Sequence, residues 1–360
     1  MKTSSFLLLA FASLYLCCSC KKNSTNNTNG INIYFTGTYS SNVNSAAGNV
    51  GIYWKNGIAT LLPPISGNGT VVDGIAFAGN DMCLVGYFGN NFGYWRNGTS
   101  YPLLMSNSYL SAITTVGNDV YTAGYIGGVV TDTTKFTTAD FPVYFKNDSM
   151  TILSPHALSG VASAITAVGN DVYIAGYTVY SRLARCTYWK NNQEILLADT
   201  AKASFASGIA VVGSDVYVIG AIIDPSTLNR MATCWKNGTE VILEKTPGMV
   251  YTASAITING NDVYIAGEMI NPISGSGGTP LYWKNGKAVI LDGDAGTIYN
   301  TTCIAVGDTD VYVGGYISTP ISGTGNFHKV AACWKNGALT KLSTGGATGD
   351  GIVTSVALRE

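Results

Sequence analysis

The strongest constraint on this 360-residue chain is internal: one phrase, SAITAVGNDVYIAGY at residues 163–177 followed by YWKNNQEILL, recurs along most of its length. Its first half begins at Asp73, Ser111, Ser163, Ser207, Ser254 and Thr302, and its second half centres on Trp54, Trp95, Phe145, Trp189, Trp235, Trp283 and Trp334. A period of roughly 40–50 residues falls in the range of propeller blades. Each unit reads as four short strands. SAITAV and VYIAGY are rich in β-branched and aromatic residues, and the GND between them is a turn of residues that tolerate the left-handed region. Asn-Gly joins the third strand to the fourth, because a type I′ hairpin turn needs positive φ at both central positions. Apolar residues fall on both faces of these strands, so a single unit would leave one face wet. Radial closure buries both faces and leaves few edges. The expected fold is all-β, a seven-bladed β-propeller of four-stranded antiparallel blades.

The two ends of the repeat region are complementary. INIYFTGTY (31–39) matches only a second strand, and TSVAL (354–358) matches only a first. Joined in space they complete one blade, whereas the terminal units of a solenoid would be capped.

Ahead of the repeats, Lys2 precedes an apolar stretch from Phe6 to Leu16 that is too short to span a membrane, and LCCSCKK follows. That ending resembles a bacterial lipobox. The domain expectation is therefore a lipoprotein signal peptide over 1–19, a lipidated Cys20 with a linker to residue 30, and the propeller over 31–360. Cys18 is the alternative acceptor, and cleavage without lipid is the other reading. The resemblance implies export to a bacterial cell envelope and a membrane partner held through a lipid anchor, stable because several acyl chains share it. By the same resemblance, Lys21 rather than Asp after the cysteine implies the outer membrane, on its periplasmic side or at the surface. A flexible linker of this length reaches roughly 17 Å. It leads straight into a second strand, which starts at the GND end, so the chain is expected to enter on the face of the conserved turns.

Charge narrows the partners. Only 11% of residues are charged, for a net charge of −1, and no basic run appears, which argues against nucleic acid. Two histidines and few acids supply little for acid–base or metal chemistry, so no catalytic residue, metal or cofactor is expected. None of the common nucleophile, phosphate-loop, zinc or calcium patterns is present. The repeated aspartates of GND give one carboxylate per turn, too few oxygens for calcium. Cys83, Cys186, Cys234, Cys303 and Cys333 are expected to be unpaired, since Cys83, Cys234 and Cys333 take the places of repeat tyrosines and read as small buried hydrophobes.

Function should lie where the repeat varies. GND and KNG sit at one end of the meander, and the variable connections sit at the other, the face where a rigid scaffold carries binding. The first position of the innermost strand is small and polar in every copy, as Asp73, Ser111, Ser163, Ser207, Ser254, Thr302 and Thr354. This ring is expected at the variable-face mouth of a central channel, its hydroxyls bonding neighbouring backbone. Asp73 is its one charge and a candidate ligand contact. Two or three residues earlier stand Tyr109, Phe205, Tyr251 and Tyr299, which read either as loop anchors or as an aromatic rim able to stack on a ligand. The tryptophans read as inter-sheet packing, with a sugar-stacking platform as the alternative. His156 and His328 read as surface residues, and Asp292 and Asp294 as a short acidic loop.

With motifs of the form V-Y-x-A-G-Y and W-K-N-G-x-x-x-x-L, residues 31–358 resemble bacterial exported proteins built from W-x-x-G-x-x-x-x-L repeats, among them the HAF-type extracellular repeat proteins. The resemblance implies the architecture and brings no catalytic residues. The expected function is a membrane-anchored, exported, non-catalytic binding propeller whose partner is a glycan or an envelope protein. The alternatives are a propeller hydrolase or lyase with its site at the channel mouth, and a structural assembly component.

Overall fold

The computed structural model describes residues 30–40, 48–63, 69–104, 108–132, 137–197, 202–241, 243–272, 278–294, 297–321, 323, 326–345 and 349–360. Seven four-stranded antiparallel sheets form from the repeats. Blade 4 shows the pattern: Ser159–Val168, Asp171–Val179, Ala184–Lys190 and Gln193–Leu196 follow one another outward. Blade 1 is built from both ends of the repeat region. Its innermost strand is Asp350–Arg359, and Asn32–Ser40, Asn49–Lys55 and Ile58–Leu61 complete it. The other innermost strands are Thr70–Ala78, Ser108–Val116, Ser204–Val212, Val250–Asn259 and Ile298–Gly307. Each packs beside the next, and Asp350–Arg359 packs beside Thr70–Ala78, so the ring closes around a central channel.

The blades are held together by the tryptophans. Trp54, Trp189 and Trp334 are fully buried and Trp283 is 1% exposed, which removes them from any sugar-stacking role. Each indole also crosses a seam. Trp334 Nε1 donates to the Asp292 carbonyl at 2.8 Å, Trp283 to Glu244 at 2.8 Å, Trp54 to Ser343 at 2.7 Å, and Trp189 to the Ser154 hydroxyl at 3.0 Å. Every acceptor belongs to the loop that leaves the preceding blade, so one residue type supplies both apolar area and a registered polar contact. Asp292 and Asp294 serve through their backbone here: the Asp294 amide donates to the Tyr299 hydroxyl.

The conserved turns form a second repeated device. In blade 5 the Asp215 carboxylate accepts from Lys236 at 2.7 Å and from the Asn237 amide at 2.8 Å, and the Asn237 side-chain oxygen accepts from the Val216 amide. Lys236 also lies over the Tyr217 ring. The same clasp joins Asp81 to Arg96, Asp119 to Lys146, Asp171 to Lys190, Asp262 to Lys284 and Asp310 to Lys335. Blade 1 has Asn32 in the aspartate's place, bonded to Asn56. Asn237 at φ 49° and Gly238 at φ 84° give the left-handed pair that the hairpin requires. The six aspartates are thus turn clasps.

Hydrogen bonds from asparagine and lysine hold the Asp171 and Asp215 carboxyls below the usual carboxylate range. A depressed folded value means stability that is present above the unfolded value and lost as pH falls through the folded one. The melting temperature is therefore expected to fall below about pH 4, and less steeply in Asp171→Asn/Asp215→Asn. Parallel acid profiles would remove the clasps from the explanation.

The chain enters the fold on this same face. Asn32 belongs to the clasp of blade 1, and Ile31 lies beside Gly307 at the corresponding turn of blade 7, as the strand order requires. The five described cysteines are unpaired, and burial pushes the thiols of Cys234, Cys303 and Cys333 up to about 12. Cys20 and the rest of the leader lie outside the described residues.

Candidate site at the channel mouth

Every innermost strand carries a bulge at the same place, where its pairing with the second strand shifts register. The shifts fall between Val72/Gly74, Leu110/Ala112, Ala162/Ala164, Ala206/Gly208, Ala253/Ala255 and Thr301/Cys303. In blade 1 the shift skips Thr354. The extra residue is in each case the small polar ring member: Asp73, Ser111, Ser163, Ser207, Ser254, Thr302 and Thr354. A bulge leaves its extra residue unpaired and re-aims its side chain. Its location corrects the expectation that the ring lies at the mouth. The β-branched and aromatic residues before it continue the strand, so Asp73 is three residues in from Thr70 and the ring lies partway down the channel.

The bulge explains the glycine of VYxAGY. A Cβ on Gly176 would sit 1.9 Å from the Val161 carbonyl oxygen, and the equivalent distances at Gly124, Gly220 and Gly315 are 1.8, 1.9 and 1.9 Å. The carbonyl belongs to the residue two before the ring, which the bulge turns onto the second strand.

The four aromatic candidates separate into two sets. Tyr251 and Tyr299 are three residues before the ring, and Tyr109 and Phe205 are two before it. Since side chains alternate along a strand, that offset puts the pairs on opposite faces. Tyr251 is 7% exposed and Tyr299 3%, each packed near its blade's tryptophan. Their hydroxyls accept from the Thr246 and Asp294 amides, both at 2.8 Å. These two anchor loops and offer no free ring face. Tyr109 and Phe205 are half-buried and stand in an aromatic run. Tyr87 meets Phe92 at 5.1 Å, Phe92 meets Tyr109 at 5.4 Å, and Tyr109 meets Tyr125 at 6.1 Å. Tyr177 of blade 4 meets Phe205 of blade 5 at 5.1 Å. The run curves over blades 2 to 5 at the variable-loop end. Tyr125 and Tyr177 were not singled out in the sequence because they stand in the repeat itself, where every position also has a packing explanation.

Beneath the run lies Asp73, with the Tyr109 side chain beside its carboxyl. Burial pushes its carboxyl up to about 7, with the tyrosine pulling partly back. Its Oδ2 is enclosed and has no partner. On the other side of the mouth Glu268 replaces the repeat tyrosine. It is 8% exposed, and Thr252 and Thr301 bond both its oxygens, including Thr301 Oγ1 at 2.7 Å. This carboxylate joins blades 6 and 7. Nearby Lys329 lies 5.3 Å over the Tyr316 ring, and His328 Nδ1 meets Asp350 at 2.8 Å. The histidine thus has a carboxylate partner that no sequence spacing revealed. Among the described residues no group of three metal-ligating side chains converges.

Fold and site define a closed seven-bladed β-propeller with a one-sided aromatic mouth. No family model matches the chain, and no curated protein matches it. Solved structures resemble it in outline. One is a GH32 β-fructofuranosidase of Bombyx mori, a mutant in complex with sucrose, at 10% identity and TM-score 0.35, covering 80% of this chain and 91% of that one. A likeness of that degree says nothing about substrate.

Proposed function

We propose that the chain is an exported, lipid-anchored, non-catalytic binding propeller of the bacterial envelope that recognises a glycan at the aromatic mouth. The observation that carries this reading is the run of half-buried rings, Tyr87, Phe92, Tyr109, Tyr125, Tyr177 and Phe205, on the variable-loop end. Such rings offer apolar faces for the C–H side of a sugar, and the tyrosine hydroxyls offer polar edges. The leader with its lipobox-like ending supports the anchor at Cys20. Entry of the chain on the conserved-turn face supports an orientation in which the mouth points away from the membrane. Glu268 on the far side is engaged in inter-blade bonds.

A glycan array probed with the chain from Gly30 onward tests the reading. Retention on a defined glycan is expected, falling about tenfold or more in Tyr109→Ala/Tyr177→Ala, since each ring contact is worth about 0.5–1.5 kcal/mol. Retention unchanged in that variant would reject the mouth. Retention on no glycan, with capture of an envelope protein, would replace sugar by a protein partner.

A further inference from the structure

In three blades the hydroxyl at the bulge closes the seam to the next blade. Ser207 Oγ donates to the Ala253 carbonyl at 2.7 Å, Thr302 Oγ1 to Val353 at 2.8 Å, and Thr354 Oγ1 to Val72 at 2.7 Å. Each acceptor is the residue just before the next blade's ring member. The same register assigns Asp73 the carbonyl of Leu110, the residue before Ser111. An ionised carboxylate has only acceptors and would set oxygen against oxygen there, whereas a protonated one carries an O–H donor.

The surroundings favour the donor form. Oδ2 is sealed from solvent without a partner, and an unmet buried polar atom is rare enough to need a cause. The strands packed against Asp73 bring Tyr109, Tyr87, Tyr39 and Cys83, all neutral groups. The charged residues of those strands stand at their ends. Asp81 and Arg359 are engaged at the turn face, and Asp350 is paired with His328 at the other end. Away from their ends those strands carry no Lys, Arg or His to hold a carboxylate.

We propose that Asp73 works as a neutral acid whose Oδ2 proton bridges to the Leu110 carbonyl, in the place of the ring hydroxyls. Loss of that proton sets a carboxylate against the Leu110 carbonyl and weakens the seam between blades 2 and 3, which ties the inner wall of the channel to pH. The assignment does not depend on what the mouth binds. Burial raises the Asp73 carboxyl to about 7, so it keeps its proton over the acidic range, and burial also holds the Tyr109 hydroxyl far above its usual range, so neither side chain is charged there. For an acid whose folded value is raised, the folded state keeps a proton that the unfolded chain has lost. Stability therefore falls as pH rises from about 4 to about 7 and then levels off.

The test is thermal melting of the full chain from about pH 4.5 to 8, compared with Asp73→Ser and Asp73→Asn. Serine is the ring residue of four blades, and asparagine keeps both an acceptor for Tyr109 and a donor for Leu110. Over this range the native protein is expected to lose at least about 2 °C more than either variant. Its infrared spectrum near pH 5.5 should show the stretch of a buried protonated carboxyl, absent from Asp73→Asn. Parallel melting profiles, or no such band in the native protein, would overturn the proposal.

Discussion

Replacing Trp334 by alanine is expected to cost about 3–5 kcal/mol of unfolding free energy, enough to abolish much of the margin of a folded domain. The side chain is fully buried between blades 6 and 7, among Tyr264, Ile304 and Val313. Tyr299 meets it edge-on at 6.0 Å, so the loop that this tyrosine anchors should loosen as well. The Asp292 carbonyl would lose its donor. Trp334→Phe divides the two contributions. It keeps a six-membered ring in the seam and removes the indole N–H together with part of the bicycle, for an expected cost of about 1–3 kcal/mol. Urea denaturation followed by circular dichroism measures both. Equal losses in the two variants would mean that the seam depends on the hydrogen bond and not on packing.

Gly176→Ala should cost about 3 kcal/mol or more, from a single methyl group. Its Cβ would fall 1.9 Å from the Val161 carbonyl oxygen, which belongs to backbone and not to a flexible tip. Relief requires that the bulge at Ser163 open, which would move the ring residue and the inner strand with it. Gly213→Ala is the control. That turn glycine has open space around it at φ 57°, so only backbone strain of about 1–3 kcal/mol arises. A Gly176→Ala protein as stable as the native one would show that the bulge is soft.

The fold was legible in the sequence because seven copies of one pattern act as an internal alignment. Strand periodicity, Asn-Gly hairpins and complementary ends all depend on neighbours in the chain. The clasp was half legible. Asp215 read as a turn residue, but its pairing with Lys236 and Asn237 joins two turns that the sheet brings side by side. The aromatic candidates show the limit more sharply. Tyr109 and Tyr251 stand one residue apart in repeat position, and that offset sends one to the mouth and the other into a packed seam.

Sequence alone determined the blade, its number and its closure, since these follow from local propensity and from the need to bury two apolar faces. Tertiary structure decided which side chains share a space. The bulge exists because the second strand has no Cβ at Gly176. Asp73 meets Tyr109, and His328 meets Asp350, because separate blades converge on one axis. Contacts of that kind carry no periodicity along the chain, so only the folded molecule displays them.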